Sequence, residues 1–199
     1  MSSSSRRYDL IAMGASAGGL TAVCTILGLL PPDFGIPIAV VQHRAKESEL
    51  LAPLLQDCTQ LNVVEVEDKQ PILPGYVYVA PPDYHMLIDQ GSFSLSTDEL
   101  VLFSRPSIDV FFDSAADAYG AGVVGVVLTG ANSDGSKGLQ KIVAQGGQAF
   151  VQDPATAEVD VMPATARKLV PRARVADLQG IAAHLLRLNQ VQRKQAMST

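Results

Sequence analysis

The stretch Asp9–Gly19, Asp-Leu-Ile-Ala-Met-Gly-Ala-Ser-Ala-Gly-Gly, decides how the rest of the chain is read. Asp9–Met13 is a short apolar run of the kind buried on both faces of a parallel sheet. The glycines from Gly14 to Gly19 let the backbone turn sharply. The pattern then becomes helical and runs to about Leu30, where Pro31-Pro32 stops it because proline cannot continue the hydrogen-bond ladder.

Working outward, Ile36–Gln42 reads as a second buried strand, a helix is expected near Glu49–Asp57, and Leu61–Val66 reads as a third strand. Strands alternating with helices at this spacing imply parallel pairing with crossovers. The short alternating runs Gly75–Ala80, His85–Asp89 and Ser92–Ser96 read instead as an antiparallel hairpin added to the sheet. Helix returns over Ser107–Tyr119, with Ile108, Phe111, Phe112, Ala115 and Tyr119 at helical spacing. Gly122–Leu128 reads as a central strand, Lys137–Gln145 as helix, Gln148–Val151 as strand, and Pro163–Val170 and Asp177–Leu188 as helices. The expected fold class is α/β: a doubly wound, mostly parallel sheet with helices on both faces and a small antiparallel hairpin insertion. Residues 1–8 are expected to be a flexible lead-in, 9–190 a single domain and 191–199 a polar tail.

Composition narrows the function classes. The 199 residues are 47% hydrophobic but only 18% charged, which suggests a well-buried interior. No apolar run approaches the ~20 residues of a membrane span, and the start lacks the apolar core of a signal peptide. A net charge of −5 without a basic stripe argues against nucleic acid as a partner. Cys24 and Cys58 sit in apolar or mixed settings, which argues against a disulfide framework and for a reducing cytoplasm.

In open α/β sheets ligands bind beyond the carboxyl ends of the strands, and three such ends here carry reactive residues. Ser16 lies in Gly14-Ala15-Ser16-Ala17-Gly18, a G-x-S-x-G turn that lifts a hydroxyl clear of the sheet. The free N–H groups of the following helix suit a developing oxyanion, although a serine there also serves as a plain helix cap. His43, after the second strand, is the candidate base that takes the serine proton. Of the three histidines, His85 lies in the hairpin region and His184 in the last helix. Asp134, in the Thr129–Gly135 loop, is the candidate that orients His43. Asp83, Asp109 and Asp153 compete for that role, and spacing does not separate them.

Nucleotide readings are weak. The Gly14–Gly19 turn lacks G-x-G, and the second strand ends in Gln42-His43-Arg44 with no acid for a ribose. Gly130–Lys137 misses the P-loop order, because Ser136 precedes Lys137. No paired His/Cys spacing suggests a metal.

Together, Ile11–Gly19, Val40–His43, Gly75–Pro81, Arg105–Asp109, Val127–Gly130 with Asp134-Gly135, and Met162-Pro163 resemble the catalytic domain of the bacterial chemotaxis protein-glutamate methylesterases (CheB-type), from about Asp9 to Leu188. The resemblance implies a Ser16–His43–Asp134 triad, no cofactor and a cytoplasmic enzyme. It also implies hydrolysis of glutamate γ-methyl esters on chemoreceptor signalling domains, and deamidation of glutamines there in many members. Ala17, Gly18, Ala131 and Asn132 fall on the oxyanion and active-site loops, and Arg44 and Arg105 on the rim, where they would attract an acidic receptor segment. Ala17 stands where the family usually has Thr, Ala131 where it has Met, Asn132 where it has Gly, and Ser104 where it often has His. A generic serine esterase of the same fold and a catalytically weak receptor-binding module are the alternatives. Many members carry a receiver domain before the catalytic domain; with eight residues before Asp9, the chain is expected to be either a catalytic domain cut from a longer protein or a single-domain member regulated otherwise.

Overall fold

The computed structural model describes residues 7–43, 50–89 and 91–196. The run that opened the reading is strand β1 (Leu10–Ala15), buried along its whole length, and the Gly-rich turn leads into helix α1 (Gly19–Gly28). There follow β2 (Ile38–Gln42), α2 (Leu51–Gln56), β3 (Asn62–Glu65), β4 (Tyr76–Val79), β5 (His85–Asp89) and β6 (Ser92–Ser96). The second half comprises α3 (Ile108–Tyr119), β7 (Val123–Val127), α4 (Ser136–Ala144), β8 (Gln148–Gln152), α5 (Val161–Leu169), β9 (Arg174–Ala176) and α6 (Leu178–Ala196).

Seven strands form one sheet in the order β3-β4-β2-β1-β7-β8-β9, and all its pairings are parallel. Alternation along each strand splits the core in two. Ile11, Met13, Ile38, Val40, Val124 and Val126 face α1, α2 and α6. Leu10, Ala12, Ala39, Val41, Val123 and Val127 face α3, α4 and α5. The β5–β6 hairpin forms a separate antiparallel pair, packed through Met86, Ile88 and Phe93 on the α3 side.

Three expectations are corrected. Gly75–Ala80 contributes no hairpin strand: β4 lies between β3 and β2, parallel to both. Its Tyr-Val-Tyr-Val alternation imitates a half-exposed strand, but Tyr78 is buried at 1% exposure. The Tyr78 hydroxyl donates to Pro71 O at 3.0 Å and accepts from Leu73 N–H at 2.9 Å, which satisfies a polar group inside the sheet layer. Second, Cys24 and Cys58 are bonded as a disulfide, with Cα atoms 5.3 Å apart, joining α1 to the turn after α2. Third, α6 continues as helix through Ala196, past Leu188, where the helix was expected to end. Among the described residues, no helix is long and apolar enough to cross a membrane.

Candidate active site

The chain leaves β1 for β2 on one side and returns at β7 on the other. The crevice above β2, β1 and β7 is therefore the switch point of the sheet, where open α/β folds bind ligands. Ser16 follows β1, His43 follows β2, and the loop carrying Asp134 follows β7. Ala15 is in register with Gln42, so Ser16 and His43 are the next residues on strands about 4.8 Å apart. The His43 N–H donates to Ala15 O at 3.0 Å, and the Ser16 N–H donates to Thr129 O at 2.9 Å. The serine turn is thus tied to both neighbouring strands.

Asp134 is fully buried, and its carboxylate is surrounded by donors. Oδ1 accepts from the Ser107 hydroxyl at 3.0 Å, Asp109 N–H at 2.9 Å and Gly135 N–H at 3.0 Å. Oδ2 accepts from Ile108 N–H at 2.7 Å and from His43 Nε2 at 2.8 Å. Burial pushes the Asp134 carboxyl up, but the hydrogen bonds from His43, Asp109 and Ile108 outweigh it and hold the carboxyl below its ordinary value. A carboxylate so placed accepts only, so His43 carries its proton on Nε2 and its lone pair lies on Nδ1.

The cradle is the first turn of α3, whose free N–H groups and dipole favour an anion. Ser107 caps that helix by accepting from Val110 N–H at 3.4 Å. The turn reaches the sheet because Gly14 has no side chain: a Cβ there would lie 2.3 Å from Ile108 Cγ2.

The rival carboxylates are occupied elsewhere. Asp83 pairs with Arg105, and the Asp153 carboxylate accepts from Ala155 N–H. Asp109 accepts from Gly138 N–H at 2.8 Å, and burial raises its carboxyl above the ordinary range.

On the serine side, Ala17 is exposed and Gly18 half-buried, with Gly18 at φ 75°, the left-handed conformation glycine adopts without strain. The Thr129 hydroxyl donates to Ala17 O at 2.9 Å and so steadies this turn from the β7 side. Ala131 is exposed at the mouth. Asn132 is not among the described residues with positive φ, so its replacement of Gly requires no left-handed backbone. Instead its Oδ1 accepts from Asp134 N–H at 3.1 Å and shapes the loop.

Arg44 lies outside the described residues. Arg105 does not present a free charge at the rim. Nε and Nη2 donate to Asp83, Nη1 donates to Thr97 O and Asp98 O, and the side chain is 17% exposed.

Sequence reasoning missed three contributors. Ser107 and His85 meet behind Asp134, where His85 Nδ1 accepts from Ser107 N–H at 3.2 Å and Nε2 donates to Glu99 O at 2.9 Å. The third is Gln42, whose amide donates to Ser16 O at 2.6 Å and His43 O at 3.1 Å. A polar residue ending the apolar run Ile36–Val41 was the visible signal for it. Among the described residues, no cluster of three or more His, Cys, Asp and Glu side chains is arranged to hold a metal ion.

Comparison with known proteins covers about nine-tenths of the chain. The family profile described as CheB methylesterase matches residues 11–185. The chain belongs to the CheB methylesterase family. It is 48% identical over 185 residues to a putative protein-glutamate methylesterase/protein-glutamine glutaminase of Leptospira interrogans, covering 92% of this chain and 96% of that one. It is 37% identical to the protein-glutamate methylesterase FrzG of Myxococcus xanthus, where it covers 90% of itself and 54% of the relative. The crystal structure of the Thermotoga maritima CheB methylesterase catalytic domain superposes with a TM-score of 0.87 at 32% identity, over 91% of this chain and 98% of that one. As a CheB-family enzyme the protein is a carboxylic ester hydrolase, and its doubly wound α/β architecture with the small hairpin is that of the family's catalytic domain.

Proposed function

We propose that the protein removes γ-methyl esters from glutamates on the cytoplasmic signalling domain of a chemoreceptor, and deamidates glutamines there, with Ser16, His43 and Asp134 as its triad. The observation that carries this reading is the 2.8 Å bond between His43 and the cradled Asp134 carboxylate, one strand from a serine in an elbow turn. His43 Nδ1 takes the Ser16 proton as the oxygen attacks the γ-carbonyl carbon. The tetrahedral oxyanion is met by N–H groups at the start of α1, around Ala17 and Gly18, and by the turn at Ala131 and Asn132. The imidazolium, stabilised by Asp134, passes its proton to departing methanol or ammonia. Water then attacks the acyl-enzyme by the same route in reverse. A receptor signalling domain as substrate puts this work in the cytoplasm. Arg44 remains the candidate rim charge for an acidic receptor segment, and Arg105 acts by organising the 97–105 loop.

The test is methanol release from methylated receptor by wild type and Ser16→Ala. Release by wild type and its loss in the variant are expected. Activity retained in Ser16→Ala overturns the mechanism. Rapid turnover of a generic acyl ester with none on receptor overturns the substrate.

A further inference from the structure

Gln42 is the last residue of β2 and is 9% exposed. Its Nε2 carries two N–H groups, directed at Ser16 O (2.6 Å) and His43 O (3.1 Å). One amide therefore joins the main chains of two residues on neighbouring strands, just past the point where strand pairing ends at Ala15 and Gln42. The orientation of the amide is dictated, because turning it over would set Oε1 against two carbonyl oxygens.

The arrangement is held against a cost. Gln42 Oε1 is buried, and among the described residues it has no hydrogen-bond partner. An unpaired buried acceptor is destabilising, so the amide is not explained by stability alone. The sequence also makes room for it: a Cβ at Gly19 would lie 2.0 Å from Gln42 Oε1. The paired glycines thus serve separate ends, Gly18 for its left-handed turn and Gly19 for the approach of this amide. Nor does the elbow turn need Gln42 to form, since Ser16 O already accepts from Gly19 N–H at 2.8 Å.

We propose that Gln42 is a positioning residue, whose amide sets the separation and direction of Ser16 relative to His43. The proposal rests on the reading of those two as nucleophile and base. Gln42 touches no substrate. It acts by fixing the carbonyls through which the two reacting side chains are aimed, and errors of about 1 Å in such an alignment cost up to 10²-fold in rate.

Gln42→Met keeps the length and loses both donors, Gln42→Asn keeps the amide but draws it one methylene short, and Gln42→Glu sets a carboxylate against the two carbonyls. Steady-state methanol release, melting temperature and Ser16→Ala are measured alongside. Gln42→Met and Gln42→Asn are expected to lower kcat by about 10- to 100-fold with KM within about twofold, and Gln42→Glu by more. Folding is expected to persist in Gln42→Met, which also removes the unpaired Oε1. Wild-type kcat in either Gln42→Met or Gln42→Asn, or a raised KM with kcat unchanged, overturns the proposal. If Ser16→Ala abolishes release while Gln42→Met keeps wild-type kcat, the Gln42 role fails and the triad stands. Release retained in Ser16→Ala overturns the triad itself.

Discussion

Two serine–histidine pairs lie beside Asp134, one reaching its Oδ2 through His43 and the other its Oδ1 through the Ser107 hydroxyl. Ser16 and His43 are half-buried on the open side, at the carboxyl ends of β1 and β2. Ser107 and His85 lie behind, at 0% and 2% exposure. Both His85 ring nitrogens are committed to main-chain groups, Nδ1 to Ser107 N–H and Nε2 to Glu99 O, so no lone pair is left to take a proton. The Ser107 hydroxyl donates to Asp134 and caps α3. On the proposed triad, His43 Nδ1 has no partner among the described residues and is left to take a proton, whereas both His85 ring nitrogens are paired.

Substitutions can break or sharpen this contrast. The largest effect is expected at the shared residue. Asp134→Asn should lower kcat by about 10⁴-fold, the scale known for the serine-protease aspartate, and should also loosen α3 by setting an amide against its N–H groups. A loss under about tenfold, measured by methanol release, would break the contrast at its hinge.

On the buried side, Ser107→Ala should cost about 1–2 kcal/mol of stability through the lost cap, read from denaturant unfolding, while kcat stays within about tenfold of wild type. A Ser107→Ala enzyme that is fully folded and inert would reverse the assignment of the two pairs.

Acid should act on the same hinge. The folded Asp134 carboxyl is held below its ordinary value, so its contribution to stability is present above the ordinary carboxylate range and is lost as pH falls through the depressed value. Asp109, raised by burial, changes in the opposite sense and gains on protonation. Melting temperature followed into acid should therefore fall less steeply for Asp134→Asn than for wild type; parallel curves would contradict the cradle.

Far from both pairs, Cys24→Ser should leave kcat unchanged. In oxidising buffer it should lower stability by up to about 4 kcal/mol, the loop-closure value for a bridge of this span, and by little in reducing buffer.

Most of the fold was legible because a parallel sheet writes itself as apolar runs between helices. Leu10–Ala15, Ile38–Gln42 and Val123–Val127 are buried throughout and follow that grammar. β4 was misread because tyrosines alternate with valines, and only the Pro71 and Leu73 main-chain partners reveal the Tyr78 hydroxyl as an interior group. β9 was missed because it is only three residues long, at the sheet edge, with Arg174 and Val175 exposed. The cysteine pair is separated by 34 residues and depends on α1 packing beside α2, which no local pattern records. At the site, Ser16, His43 and Asp134 stood out because each lies just beyond a strand end. The choice among four aspartates needed the tertiary position of α3, which encloses Asp134 alone among them with His43.

The most direct measurement of the central claim is covalent labelling with a fluorophosphonate, which reports the activated serine, followed by peptide mapping. Label on Ser16, absent after His43→Ala, is the predicted result. Label on Ser107, or labelling of Ser16 that is indifferent to His43, would contradict it.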